Sequence, residues 1–399
     1  MDIFEESVEL HRKLGGKLSL TSKVELKNTH DLSLAYSPGV AGVCEEIAKK
    51  PETVHELTLK KNTVAIVTDG SAVLGLGNIG AEASIPVMEG KALLFKEYAG
   101  IDAFPICIRS QSTLEIVNLV KNITPVFAGI NLEDIAAPRC FEIEKALQDI
   151  GIPVFHDDQH GTAIVVLGAL FNAAKLKNKP LTEMKVVING AGAAGSAIMD
   201  LLLRMNIDEG PDQAVKEIII CDSKGIISET REDVPGTPAK MSLARRSNRQ
   251  FQTGSLADAM VDADIFLGVS VADAVTKDMI RSMAKDPVIL AMANPIPEIM
   301  PEDAKEAGAF IVGTGRSDFQ NQVNNVLAFP GIFRGAIDIK AKRITRKMKL
   351  AAAYALAEAV ENPTPEVIIP SVLDESIAYK VAEKVASVYD PKQDVTEDS

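Results

Sequence analysis

The chain alternates between short runs rich in β-branched residues and longer segments whose apolar positions recur at helical spacing. Extended segments are predicted at "TVAIVTDG" (63–70), "AFPICI" (103–108), "PVFAGINLED" (125–134) and "IPVFHDD" (152–158). Helical patterns separate them at 85–99, 112–123 and 141–150. A long apolar helix follows at 161–178 and stops at the breaker Pro180. The rhythm resumes with strands at 184–190, 217–222, 263–270, 287–295 and 309–315, and a helix at 196–205. Strands alternating with helices argue for an α/β fold of parallel sheets covered on both faces. The polar stretch 227–254 reads as an exposed excursion, and 345–388 as a mostly helical tail interrupted by "NPTPEVIIP".

Two strand ends open into the spacing G-x-G-x-x-G. A dinucleotide fingerprint also needs a following helix and a second strand ending in an acid. The loop with Gly190, Gly192 and Gly195 meets every requirement: "KVVIN" precedes it, "SAIMDLLLRM" follows, and "EIIICD" ends in Asp222, placed for ribose hydroxyls. Ala193 and Ala194 then open a helix whose free N–H groups would face a pyrophosphate. The earlier loop, "VLGLGNIG" with Gly75, Gly77 and Gly80, leads into a segment that Pro86 interrupts, and the next strand ends in Arg109 and Ser110. It is predicted to be a tight loop of another βα unit. Asp222 favours NAD by repelling a 2′-phosphate, yet Ser223 and Lys224 follow directly and could receive one, so NAD or NADP fits.

A chain of 399 residues is long for one core. We expect an N-terminal α/β substrate and metal domain over 1–160 and a doubly wound, Rossmann-type NAD(P)-binding domain with C-terminal helices over 161–399. The apolar share of 46% and charged share of 24% are ordinary for a globular protein. A net charge of −13 argues against nucleic-acid partners, whose phosphates want the opposite sign. The basic cluster at 244–249 reads as solvated surface. Cys44, Cys107, Cys140 and Cys221 form no C-x-x-C pair, which argues for reduced thiols rather than disulfides or zinc. The start is acidic and amphipathic, unlike a signal peptide, and no apolar run reaches membrane-span length, so a cytoplasmic protein without membrane contact is expected.

Two acidic pairs end extended segments: Glu133-Asp134 and Asp157-Asp158. Carboxyl ends of parallel strands gather at one edge, where several oxygens suit Mg²⁺ or Mn²⁺. Both pairs also precede helices, where acids are favoured without any metal. His156 and His160 stand at i, i+4, but on a segment read as strand turning into loop, and with Asp157 where H-E-x-x-H needs Glu. They are expected to be hydrogen-bonding neighbours of the acids.

With these stretches in view the chain resembles the malic enzymes, in particular their short prokaryote-type form. The matching stretches span nearly the whole length: "AYSPGVA", "VAIVTDGSAVLGLGNIG", "PVMEGKALLF", "GINLEDIAAPRCFEIE", "FHDDQHGTA", "VINGAGAAG", "MANPIPEI" and "NNVLAFPGIFRGAI". The resemblance implies oxidation of malate with NAD or NADP and decarboxylation to pyruvate and CO₂. It makes Glu133, Asp134 and Asp158 the ligands of Mg²⁺ or Mn²⁺, with Asp157 a neighbour. It makes Lys91 the general base and Tyr36 the general acid, and Asn294 and Asn324 contacts of nicotinamide or substrate. Members are usually dimers or higher, so a homodimer or larger homo-oligomer is expected.

Three departures qualify the match. Larger relatives carry an arginine before the first glycine loop to clamp a substrate carboxylate, whereas this chain has Ser71 and Ala72. Ser71 and loop N–H groups are then expected to hold malate. Gln320 stands where proline is commoner, and a catalytic part without a phosphotransacetylase-like extension is expected. An amino-acid dehydrogenase shares the domain order but needs no metal; a malolactic enzyme would share the motifs and release lactate. A non-catalytic nucleotide sensor is disfavoured because every catalytic position is filled.

Overall fold

The computed structural model describes residues 2–73, 75–205 and 214–391. The first sheet is built from β1 (Thr63–Thr68), β2 (Asp102–Cys107), β3 (Gly129–Leu132) and β4 (Val154–His156), in the order β2-β1-β3-β4 and parallel throughout. The second has β5 (Lys185–Asn189), β6 (Glu217–Asp222), β7 (Gly225–Ile226), β8 (Ile265–Gly268), β9 (Val288–Ala291) and β10 (Ile311–Thr314), in the order β10-β9-β8-β5-β6-β7. Counting from β5, this is the doubly wound order 3-2-1-4-5-6 of dinucleotide-binding sheets. Its third strand, β7, is a two-residue antiparallel stub that the sequence pattern did not signal. Nearly every position of the central strands is buried, which is why they read as continuous apolar runs.

Helix Asp157–Lys177 carries the chain from one sheet to the other, so the expected division at 160/161 falls inside its first turn. It is apolar all round because helices Ala193–Leu203 and Arg346–Glu358 flank it. One continuous cluster runs from Val64, Met88 and Phe95 through Phe155 and Phe333 to Val186 and Leu356. The two sheets therefore share a core. The C-terminal helices belong to it, with Phe333 edge-on to Phe95 and Phe155.

Two sequence expectations are corrected. Pro86 does not interrupt its helix, which runs unbroken over Gly80–Ala99; the carbonyl of Pro86 accepts from Lys17 Nζ at 2.7 Å. The stretch 227–254 is no exposed excursion. It contains helix Pro238–Arg246, buries Ile227, Val234 and Leu243, and is tied to β6 through Ile227 N–H to the Ile220 carbonyl and Asn248 N–H to the Ile218 carbonyl. Its polar residues had masked these widely spaced anchors.

By contrast, helices Ile3–Leu14, Thr29–Ala35 and Val40–Lys49 bury no residue. Ile3, Phe4, Leu20, Leu34 and Tyr36 are all more than 60% exposed. No described helix is long and apolar enough to cross a membrane.

Candidate active site

Because β1, β3 and β4 are neighbours and parallel, the residues just beyond their carboxyl ends converge on one edge. Those residues are Asp69, Glu133-Asp134 and Asp157-Asp158. Glu133 continues the ladder by donating its N–H to the Val67 carbonyl. Asp134 then takes a left-handed conformation (φ 53°), and its N–H donates to Asp158 Oδ2 at 2.7 Å. The helix Gly80–Ala99 lies across this edge and delivers Lys91, 6% exposed, into the acids.

Lys91 Nζ lies 2.7 Å from Glu133, bonds to Asp157, and stands 4.0 Å over the Phe329 ring. Burial works against its charge, but Asp157, Glu133 and Asp158 outweigh burial and hold its proton on well above the usual lysine range. Asp157 also accepts from Asn325 Nδ2, and a Cβ at Gly161, one helical turn on, would overlap its Oδ1. Asn131 Nδ2 donates to Glu133 at 2.9 Å. Lys91 and Asp157 are thus a fixed pair, with Asp157 committed to the lysine as a neighbour of the other acids.

One oxygen each from Glu133, Asp134 and Asp158 lie within 4.8 Å of one another. Burial, then Asp158 and Glu133, push the Asp134 carboxyl up to about 9, and its Oδ2 is buried without a hydrogen-bond partner among the described residues. Three crowded carboxylates with an orphaned oxygen form a hard donor set that wants a cation, and Mg²⁺ or Mn²⁺ fits it. The histidines are not part of it. Burial pushes His156 down to about 4; among the described residues neither of its ring nitrogens has a hydrogen-bond partner, and Nδ1 stands 3.7 Å from Asp158 Oδ2. His160 bonds Glu144 at 2.8 Å, not the paired acids, because helix geometry begins at Asp157 and turns it toward the preceding helix Arg139–Leu147.

Ser71 is buried beside this edge. Its hydroxyl donates to Asp69 Oδ1 at 2.5 Å and accepts from Ala136 N–H and Arg139 Nη2. One proton and two lone pairs are all a hydroxyl has, so Ser71 is not the free carboxylate contact expected from sequence. Arg139, held by Asp69 at 2.7 Å, was not anticipated. Tyr36 caps helix Thr29–Ala35 and is 69% exposed, and none of the contacts around Lys91 involves it.

On the second sheet the three fingerprint glycines separate by role. A Cβ at Gly190 (φ 127°) would strike the Val269 carbonyl, and one at Gly195 would overlap the Gly190 carbonyl. A Cβ at Gly192 would meet nothing within 4 Å. The first two permit the turn and the helix–strand contact; the third faces open space where a ligand can approach. Helix Ala193–Leu203 starts here without a side-chain cap, so the amides of its first turn, including Ala193 and Ala194, lack intrahelical acceptors. Asp222 ends β6 as expected.

The two halves meet at the loops. Ala193 packs against the core beneath β3, and a Cβ at Gly75 would sit 3.5 Å from the Asn294 carbonyl. The first glycine loop therefore abuts the loop after β9. Asn294 Nδ2 donates to the Met292 carbonyl, and its side chain lies against Gly315. Buried Glu298 fastens this loop to the one after β8 by accepting from Ala293 N–H at 3.0 Å and Ser270 N–H at 2.8 Å. Asn324 caps a short turn through Val326 N–H, and it is the next residue, Asn325, that reaches the acids.

Residues 15–115 match the malic enzyme N-terminal domain, and residues 159–389 match the malic enzyme NAD binding domain. The chain belongs to the malic enzyme family. A bifunctional malic/malolactic enzyme of Bacillus subtilis (strain 168) is 55% identical over 97% of this chain and 93% of its own length. An NAD-dependent malic enzyme of Geobacillus stearothermophilus is 51% identical over 93% of this chain and 76% of its own. The crystal structure of an NAD-dependent malic enzyme from Thermotoga maritima superposes with a TM-score of 0.91 at 48% identity, covering 97% of this chain and 99% of that one. Malic enzymes named for NAD and for NADP both occur among the relatives.

Proposed function

We propose that this malic enzyme oxidises malate and decarboxylates it to pyruvate and CO₂, reducing NAD or NADP with the help of Mg²⁺ or Mn²⁺. The observation that carries the reading is Lys91 Nζ buried against Glu133 and Asp157, at the strand edge where Asp134 and Asp158 also end. Glu133, Asp134 and Asp158 would hold the ion. When bound, it supplies Lewis-acid polarisation of substrate oxygens and positive charge against the field that keeps Lys91 protonated. As the neutral amine, Lys91 would take the malate hydroxyl proton at Nζ while the hydride passes to the nicotinamide, and Asp157, held by Asn325, keeps that nitrogen in place. Gly190 to Gly195 seat the pyrophosphate, and Asn294 and Asn324 line the approach of nicotinamide and substrate. Ser71, with its hydroxyl already spent, positions the loop and Arg139.

Tyr36 would protonate the carbon of enolpyruvate, and a second copy of the chain would bring it there. The exposed apolar side chains of the first three helices form a surface of the kind that marks an interface. A homodimer would bury it and carry Tyr36 toward the partner's Lys91.

The test combines calorimetric Mn²⁺ binding, NADH binding and malate-dependent NAD(P)H production. Asp158→Ala should lose Mn²⁺ binding and malate turnover while NADH still binds. Lys91→Ala should keep Mn²⁺ yet turn over malate about 10²–10⁴-fold more slowly. Full malate turnover after metal removal by EDTA would overturn the reading. Because the Bacillus subtilis relative is named for both activities, the product is identified as well: pyruvate for the malic reaction, lactate for the malolactic one.

A further inference from the structure

The strand order of the second sheet reverses between β5 and β8. A dinucleotide seated at Gly190 to Gly195 therefore lays its adenosine half over β6 and its nicotinamide half over β8 and β9. Glu298 is fully buried at the carboxyl ends of those last two strands. Its Oε1 accepts from Ser270 N–H at 2.8 Å and from Ser270 Oγ at 3.3 Å, and its Oε2 accepts from Ala293 N–H at 3.0 Å. Gly268, the last residue of β8, makes room for the carboxyl group, since a Cβ there would lie 2.3 Å from the carboxyl carbon.

The backbone repeats this link, with Val275 N–H donating to the Glu298 carbonyl at 3.0 Å and Asp273 N–H to the Pro297 carbonyl at 3.2 Å. Ser270 Oγ also accepts from Asn189 Nδ2 at 2.8 Å, one residue before Gly190. One carboxylate thus joins the nucleotide loop to the loops after β8 and β9, the second of which carries Asn294. Every side-chain contact of Glu298 is with a backbone N–H or a hydroxyl, and none is with a cation. Burial raises its pKa, and the N–H groups of Ser270 and Ala293 act against that rise. Both oxygens face N–H donors, and none of these contacts offers an acceptor for a carboxyl proton, so hydrogen bonding holds the group as an anion. Its charge has no counter-charge among these partners.

We infer that Glu298 is a specificity-determining residue for the oxidation state of the cofactor: its fixed negative charge favours the cationic, oxidised nicotinamide over the neutral, reduced one. The oxidised ring carries one positive charge, and the hydride it receives removes that charge. Attraction to Glu298 is therefore present before the transfer and absent after it. Inside the protein such an attraction acts across several ångströms with little screening by salt. The enzyme gains a firmer hold on the oxidised cofactor and a looser hold on the reduced product. A carboxylate that only fastened loops would act on both forms alike, because a ligand preference needs a difference in interaction between them. The inference rests on seating the dinucleotide at Gly190 to Gly195.

Calorimetric titrations with Mn²⁺ and without malate compare NAD with NADH, NADP with NADPH, and ADP-ribose, which has no nicotinamide ring. Glu298→Gln should weaken binding of the oxidised form by about threefold or more relative to the reduced form. ADP-ribose should follow the reduced form, since neither carries the ring's charge. Ser270→Ala removes the hydroxyl that joins Glu298 to Asn189 but leaves the charge, so it should change both forms by one factor and keep the wild-type ratio. An equal change of both forms in Glu298→Gln, or the same shift of ratio in Ser270→Ala, overturns the inference alone. A wild type that holds the reduced form more tightly than the oxidised one also overturns it, whether or not the Glu298 variant folds. A wild type that binds none of these nucleotides overturns the placement at the glycine loop, and the inference with it.

Discussion

Glycines decide, residue by residue, which loop can hold a dinucleotide. Gly190 and Gly195 face backbone that no Cβ could pass, whereas Gly192 faces space. Gly75, Gly77 and Gly80 all have φ between 72° and 77°, so they serve turn geometry. Gly77 N–H and carbonyl both bond Val73, which closes that loop on itself. Gly192→Val should therefore fold and lose NADH binding, because its side chain fills the ligand's path. Gly77→Ala should cost about 1–2 kcal/mol for left-handed backbone, keep NADH affinity, and disturb malate turnover. Equilibrium NADH titration of the two folded variants checks this. Loss of binding in Gly77→Ala would reverse the assignment of the loops. Spacing alone identified the loop, but not that Lys91 rather than Lys96 enters the acids. Five residues of helix turn these side chains about 140° apart, and Lys96 pairs with Asp102 at the surface.

Helices, as elements, hold the floor of the site. Helix Phe329–Asp338 puts Phe329 under Lys91 and Phe333 into the shared core, and it packs on helix Ser376–Ser387 through Gly331 and Gly335. A Cβ at Gly331 would lie 2.5 Å from the Ala378 carbonyl and one at Gly335 2.6 Å from the Ala382 carbonyl. Replacing helical glycine by alanine usually gains up to about 1 kcal/mol in propensity. Here Gly335→Ala should instead lose about 1–3 kcal/mol, because rigid backbone stands in the way. Thermal or denaturant unfolding reads the sign; a stabilised variant would show that the helices can separate at no cost. The strands other than β7, and the longer helices from Gly80–Ala99 to Ala193–Leu203 together with the C-terminal pair, were legible from periodicity. Helix Pro238–Arg246 was not, since only a few widely spaced apolar residues anchor it.

The whole molecule leaves one expected group outside the site of the single chain. Tyr36 is exposed, on helices that bury nothing, while Lys91 is enclosed. If the partner supplies Tyr36, Tyr36→Phe and Lys91→Ala subunits should complement each other. Mixing the two inactive proteins and allowing exchange would then restore malate turnover in hybrid dimers, each with one site holding both native groups. Sites completed within one chain would stay inactive in every hybrid. A monomer by light scattering would also exclude the arrangement.

What is local or periodic was determined by sequence alone: alternating strands and helices, the second glycine fingerprint with Asp222, and acids at the ends of parallel strands. Each of these follows from neighbours along the chain, and parallel pairing then brings Glu133, Asp134 and Asp158 together. Only the tertiary structure decided which side chains the acids meet. Asn325 reaches Asp157 across 168 residues, Asp69, Ala136 and Arg139 use up the Ser71 hydroxyl, and Arg231 and Lys240 close on Asp222 from a stretch that looked like surface. The physical reason is that a carboxylate or hydroxyl has a small, fixed number of hydrogen-bonding sites. Which partners fill them depends on packing between distant segments, and no spacing along the chain records it.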